Sequence, residues 1–132
     1  MKSYTFCIPG EPVGKGRPRF DMRSGHAYTP AKTRTYEELV RWSYRGGPFF
    51  TGAVRMKVTA YLKVPQHLTQ ARLASIENGE TPTKKPDADN ILKAVADALN
   101  GLAYKDDSQI TTVTVYKRWS VDPRVDVQIE ND

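Results

Sequence analysis

Hydrophobic residues alternate with polar or aromatic ones across residues 52–64, which carry the clearest period of two in the chain. This alternation is typical of a β-strand, and Pro65 is expected to end it. Three further stretches have alternating or β-branched residues: 4–8, 109–118 and 125–129. The sequence therefore predicts four strands.

Apolar residues at helical spacing predict three helices. The first is expected to begin at Thr29-Pro30, with Thr29 as N-cap, and to run to about Tyr44. Its apolar face would carry Tyr36, Leu39, Val40 and Ser43. The second covers residues 66–78, and the third contains Ile91, Leu92, Val95, Ala98 and Leu99 before stopping at Asn100-Gly101.

The segment 9–30 is rich in Gly, Pro and Arg and predicts a long, exposed loop. The predicted order is strand, helix, strand, helix, helix, strand, strand, with no internal repeat and no domain boundary. This order favours a single α+β domain over residues 1–132, with helices packed on a mixed sheet of about four strands.

Composition supports a folded domain that needs no cross-link. Of the 132 residues, 39% are hydrophobic, and the single cysteine, Cys7, cannot form an internal disulfide. No apolar run approaches the roughly 18 residues of a membrane span, and the first residues indicate a strand rather than a signal peptide. We therefore expect a cytoplasmic protein without a membrane partner.

The net charge of +5 comes from one part of the chain. Residues 1–50 hold nine Lys/Arg and four Asp/Glu, whereas residues 51–132 hold eleven of each. The positive charge centres on Lys15, Arg17, Arg19 and Arg23. Such a segment is a candidate for binding DNA phosphates, although a basic loop that is merely solvated would have the same composition.

Two pairs of aspartates are the most informative chemical feature. Asp87 and Asp89 stand at the start of the third helix, and Asp106 and Asp107 stand where the next strand begins. The intervening helix covers roughly 16 Å, and the following residues can return that distance, so Asp107 can reach the first pair. Converging carboxylates repel unless they are neutralised, and Mg²⁺ is a suitable cation for oxygen ligands.

Beside a basic loop, such a metal site suggests attack of water on a phosphodiester. Lys93, four residues after Asp89, would then stabilise the negative charge that develops on the phosphate. The structural alternative is that Asp89 caps the helix and that Asp106-Asp107-Ser108 forms a turn. Asp97 is interpreted as a solvent-facing helix residue without a functional role.

Other chemistries do not fit the sequence. A calcium loop beginning at Asp87 would need Gly and Glu where Leu92 and Ala98 stand. His26 and His67 are far apart, and Cys7 lies in a strand pattern, so no nucleophilic triad is indicated. Gly14-x-Gly16 lacks the remaining residues of a nucleotide-binding loop, and no nucleotide cofactor is expected.

Three motifs together resemble the RusA family of Holliday junction resolvases. They are Lys85-Pro86-Asp87-Ala88-Asp89-Asn90-Ile91-Leu92-Lys93, Asp97-Ala98-Leu99-Asn100-Gly101 and Asp106-Asp107-Ser108-Gln109-Ile110. The N-terminal Gly-Lys-Gly-Arg-Pro-Arg-Phe segment is similar to phage-type members. The resemblance implies that Asp87, Asp89 and Asp107 bind the metal and are catalytic, that Asp106 assists and that Lys93 is needed for cleavage. This sequence departs from the family pattern at two places: Ala88 replaces a larger aliphatic residue, and the Gly/Arg loop is different.

The resemblance further implies Mg²⁺ or Mn²⁺ dependence, a homodimer, and paired symmetric nicks across a four-way DNA junction during recombination and repair. We expect the basic residues Lys15, Arg17, Arg19, Arg23, Lys84 and Lys85 to contact the DNA, and the protein to be associated with nucleoid or phage DNA. The alternative is a DNA-binding module that holds junctions or forks without cutting them. A basic structural protein would leave the clustered aspartates unexplained.

Overall fold

The fold is built on a four-stranded mixed sheet, as the sequence predicts. The computed structural model describes residues 2–131, except for the side chain of Arg19. The strands are β1 (Lys2–Pro9), β2 (Arg19–Asp21), β3 (His26–Tyr28), β4 (Val54–Lys63), β5 (Ile110–Ser120) and β6 (Arg124–Asn131). The helices are α1 (Ala31–Tyr44), α2 (Gln70–Glu77) and α3 (Ala88–Ala98), and a single 3₁₀ turn covers Asp107–Gln109.

The sheet has the strand order β1-β6-β4-β5. Strands β4 and β5 are parallel, whereas β6 is antiparallel to both β1 and β4. Because parallel neighbours need a long crossover, α2 and α3 occupy the connection between β4 and β5. This crossover brings the start of β5 back toward α3, and so determines where the second pair of aspartates lies.

Helices α1 and α3 cover one face of the sheet. Alternate residues of β4, from Val54 to Leu62, are buried, and Val125, Val127 and Ile129 of β6 continue that apolar face. Tyr36 and Val40 of α1 and Ile91 and Val95 of α3 complete the core. The Arg41 guanidinium donates to the backbone oxygens of Ala98 (2.9 Å) and Asn100 (3.2 Å), which ties α1 to the end of α3.

Two helix starts differ from the sequence-based prediction. The N-cap of α1 is Pro30 rather than Thr29, and no side chain caps this helix. Helix α2 begins at Gln70 because His67 has a positive φ of 57° and breaks the helical backbone before it. Thr69 then caps α2 by accepting a hydrogen bond from the backbone N–H of Arg72 at 3.1 Å.

The prediction of a continuous exposed loop over residues 9–30 is wrong. Strands β2 and β3 form a hairpin whose turn is closed by Asp21, which accepts hydrogen bonds from the backbone N–H groups of Arg23 (2.9 Å) and Gly25 (2.8 Å). Gly25 has a φ of +73°, which a glycine adopts without strain. Residues 12–16, on the N-terminal side of the hairpin, are half-buried or buried.

Among the residues that the structure describes, no helix is both long and apolar enough to cross a membrane.

Candidate active site

One stripe along α3 carries charged residues four positions apart: Asp89, Lys93 and Asp97. Residues at this spacing lie on the same side of a helix. Ile91 and Val95, on the other side, are buried in the core. The charged stripe consequently lines a cavity of about 870 Å³, which we call the α3 cavity.

The start of α3 leaves its aspartates available for other partners. Asp87 is the N-cap residue, but its side chain makes no capping hydrogen bond. Its backbone oxygen accepts the first helical hydrogen bond, from the Ile91 N–H at 3.0 Å. Asp89 lies in the first helical turn and is exposed. Negative charge at this end of a helix is favoured by the helix dipole, so the two carboxylates are tolerated there.

The turn before β5 is held by a capping box between Asp106 and Gln109. The Asp106 carboxylate accepts from the Ser108 N–H at 3.0 Å, while Gln109 Oε1 accepts from the Lys105 and Asp106 N–H groups. Gln109 Nε2 donates to the backbone oxygens of Phe50 and Gly52, ahead of β4. These bonds determine the position of Asp107, which lies between the two capping residues.

The surroundings of Asp107 change its pKa, and the largest effect comes from a hydrogen bond with the Asp97 side chain. This contact, together with burial and the negative charges of Asp97 and Asp106, raises the pKa of Asp107 above its ordinary value. The nearby ammonium of Lys93 acts in the opposite direction. By contrast, hydrogen bonds from Ser108 hold the pKa of Asp106 below its ordinary value. Of Asp106 and Asp107, it is therefore Asp107 whose ionised form is disfavoured by its surroundings. A cation beside Asp107 would relieve the repulsion between its carboxylate and the neighbouring negative charges.

The segment 12–18, which we call the strap, contributes its residues 15–18 to a second wall of the α3 cavity. Lys15, Gly16, Arg17 and Pro18 line the cavity, which also has a partly apolar floor. That floor consists of Leu92, Ala96, Ile110 and Val113. The cavity therefore combines carboxylates, cations and an apolar surface, which suits a polyanion bound through a metal ion.

The interpretation of Asp97 as a solvent-facing residue is wrong. Its side chain is 24% exposed and lines the α3 cavity, and its Oδ2 is 3.5 Å from Lys15 Nζ. The sequence contained a usable signal, because Asp97 follows Lys93 and Asp89 at intervals of four residues. What the sequence could not provide is the partner, since Lys15 is 82 positions earlier in the chain.

The predicted metal ligands are only partly brought together. Asp89 and Asp107 line the α3 cavity, whereas Asp87 lines a neighbouring cavity that shares Lys15 and Asn90 with it. Asp106 does not line either of these cavities. Within residues 2–131, no three His, Cys, Asp or Glu side chains are grouped closely enough to hold a metal ion. The oxygen donors fit a hard divalent cation in their chemistry, but they do not form a preassembled ligand set.

The predicted DNA-binding cations lie in different surroundings. Arg17 is exposed at the cavity, and Arg23 is exposed in the hairpin turn. Lys84 has its ammonium 5.5 Å from the centre of the Trp119 ring, and Lys85 is exposed beside Asp87. Lys15 instead pairs with carboxylates, and the side chain of Arg19 lies outside the part that the structure describes.

The fold and the cavity define a small α+β protein with a carboxylate-lined cleft beside a basic segment. The family model described as Endodeoxyribonuclease RusA matches residues 9–130. The chain therefore belongs to the RusA family of endodeoxyribonucleases, which confirms the resemblance found in the sequence motifs. It is also similar to a Bacillus subtilis (strain 168) protein named "Uncharacterized protein YqaN", with 41% identity covering 98% of this chain and 96% of that protein.

Proposed function

We propose that the protein is a divalent-metal-dependent endonuclease that resolves four-way DNA junctions by paired symmetric nicks. The observation that carries this proposal is the α3 cavity itself, in which Asp89 of α3 and Asp107 of the following turn face the same space as Arg17. Family membership supports cleavage of DNA as the reaction. The junction as substrate and Mg²⁺, which Mn²⁺ could replace, are our proposals.

Asp87, Asp89 and Asp107 are the proposed metal ligands, with Asp106 assisting. A bound divalent cation would activate water and neutralise charge on the phosphate. The residues of this chain orient the substrate around that ion. Lys93 is exposed on the same stripe as Asp89, where its ammonium can stabilise the negative charge of the transition state.

The hairpin of β2 and β3 is the proposed contact with the branched part of the DNA. Phe20, Met22 and Tyr28 are exposed on it, and Arg17 and Arg23 flank the first strand. Exposed aromatic rings beside cations suit unpaired bases, because bases stack on the rings while the cations bind phosphates. Lys84 and Lys85 precede the first aspartate and are proposed to contact the same backbone.

The test is incubation of a synthetic four-way junction with the protein and Mg²⁺. We expect symmetric nicks from the wild type and none from Asp89→Asn, which should still bind the junction. Asp122→Asn is the matched control, because Asp122 is an exposed aspartate in the turn between β5 and β6. Equal cutting by the wild type and Asp89→Asn would overturn the assigned chemistry.

Holding junctions or forks without cleavage is the second candidate function. One observation favours such a binding function: the carboxylates within residues 2–131 are not preassembled around a metal. In that case the wild type would bind the junction in a salt-sensitive manner and would not nick it at any concentration of Mg²⁺ or Mn²⁺.

A homodimer is proposed because two opposed strands must be cut and each chain offers one acidic cavity. Analytical ultracentrifugation with and without the junction tests it. Two chains per junction are expected, and one chain per junction would contradict the paired mechanism.

A further inference from the structure

The strap is held against both helices at its two glycines. A Cβ on Gly14 would lie 3.0 Å from Pro86 Cβ and 3.2 Å from Asn90 Cβ, so this position packs directly on the start of α3. A Cβ on Gly16 would lie 2.6 Å from the Thr33 hydroxyl oxygen. These two contacts are too close for any larger residue without a shift, which explains the Gly-Lys-Gly sequence.

Backbone hydrogen bonds join the strap to the same two helices. The Lys15 N–H donates to the Asn90 oxygen at 2.9 Å, and the Gly16 N–H donates to the buried Thr33 hydroxyl at 3.0 Å. The strap therefore crosses from α3 to α1 within two residues. Lys15 is the single residue between the two glycines, at the centre of this crossing.

The Lys15 ammonium is turned toward the protein rather than toward solvent. Its Nζ is 2.9 Å from Glu37 Oε2 on α1 and 3.5 Å from Asp97 Oδ2 on α3. The side chains of Lys15 and Glu37 are only 19% and 20% exposed. A half-buried ammonium that binds two carboxylates has little capacity left for a DNA phosphate.

We propose that Lys15 is a positioning residue, which locks the strap between α1 and α3 through Glu37 and Asp97. The strap then forms a fixed wall of the α3 cavity and presents Arg17, two residues later, as its phosphate-binding cation. The expected effect of Lys15 on DNA cleavage rests on the proposed function. The contact of Lys15 with Glu37 and Asp97, which locks the strap, does not depend on that function.

The two possible roles of Lys15 predict opposite effects of Glu37→Gln. If Lys15 locks the strap, Lys15→Met and Glu37→Gln both release it, so both lower junction cleavage by roughly 10- to 100-fold, the cost of a misplaced binding group. The double variant should be no worse than Lys15→Met alone, because Lys15→Met already removes the ion pair that Glu37→Gln breaks. If Lys15 bound phosphate, Glu37→Gln would leave junction affinity unchanged or raise it.

Trypsin cleavage provides a readout that does not require nuclease activity. The bond after Arg19 lies just beyond the strap, so release of the strap should accelerate its cleavage in both Lys15→Met and Glu37→Gln at an unchanged melting temperature. Lys63→Met is the control for loss of an exposed lysine elsewhere, and should behave like the wild type. Lys15→Arg, which keeps the charge, should restore slow proteolysis.

Junction binding without metal, measured across salt concentrations, completes the test. Two results together would overturn the inference in favour of a phosphate contact. Lys15→Met would reduce the salt slope of junction binding by about one, and Glu37→Gln would show the proteolysis and the cleavage of the wild type. If Lys15→Met fails to fold, Glu37→Gln and Lys15→Arg still decide the question by proteolysis. Failure of the wild type to nick the junction would overturn the proposed function alone.

Discussion

At the scale of single residues, the site depends on charges that are placed by helical spacing. Asp89, Lys93 and Asp97 follow one another at intervals of four, so α3 presents them on one stripe. Asp107 joins them from the turn before β5. The spacing of the first three can be read from the sequence, whereas the contact between Asp97 and Asp107 depends on how the chain returns.

Lys93→Met should reduce junction cleavage by about 10²- to 10³-fold, the loss typical when one group that stabilises transition-state charge is removed. Junction affinity should change far less, because the effect is on the reaction rather than on binding. Single-turnover cleavage rates and binding isotherms measured on the same preparation check this. A loss of affinity that accounts for the whole loss in rate would instead make Lys93 a DNA contact.

Asp107→Asn should raise the melting temperature at pH 7 in the absence of metal. The pKa of Asp107 is raised in the folded protein, so the folded state holds its proton more tightly than the unfolded state. Stability is then lost as the pH rises through the interval between the ordinary and the raised pKa. At about pH 3, where aspartate is largely protonated in both states, the advantage of the variant should largely disappear.

Thermal melts of the wild type and Asp107→Asn in EDTA, from pH 3 to pH 8, measure this difference. Asp122→Asn, in an exposed turn, should show no such pH-dependent gain. A lower melting temperature for Asp107→Asn across the whole range would contradict the account of repulsion at the site.

At the scale of elements, two short connections determine where the residues of the α3 cavity lie. The strap closes one side of the α3 cavity, and the capping box of the Asp107–Gln109 turn holds Asp107 on another. Helices and long strands were predictable because their apolar residues repeat at regular intervals. The β2–β3 hairpin was not, because its strands have only three residues each and none of their described side chains is buried.

Gln109→Ala should destabilise the protein by about 1–2 kcal/mol and lower cleavage as well, because it removes the bonds that anchor the turn. These bonds reach the Lys105 and Asp106 N–H groups and the Phe50 and Gly52 oxygens. Chemical denaturation and cleavage rates check the prediction. Gln66→Ala, at an exposed glutamine before α2, is the control and should change neither.

Phe20→Ser should weaken binding of a four-way junction by about 1–3 kcal/mol, the contribution of one base stacked on an aromatic ring. Binding to an uninterrupted duplex should change little, because its bases are not free to stack. Phe49→Ser is the matched control, since Phe49 is 49% exposed and Phe20 is 61% exposed. Equal losses on the junction and the duplex would place the hairpin outside the branch point.

At the scale of the whole molecule, the order of elements was predictable, but the arrangement of the sheet was not. Nothing in the local pattern specifies that β6 lies between β1 and β4 or that β5 is parallel to β4. This arrangement sets the long-range proximity of residues 15, 37, 89, 97 and 107. The motifs identified the acidic residues, while the partners of Lys15 required the folded chain.

Binding of Mn²⁺, measured by electron paramagnetic resonance of the free ion, tests most directly whether the two acidic segments act together. The account predicts that the wild type binds the ion and that Asp89→Asn and Asp107→Asn each weaken binding by at least about tenfold, while Asp122→Asn does not. Wild-type affinity in Asp107→Asn would contradict it, because the turn before β5 would then contribute nothing to the metal site.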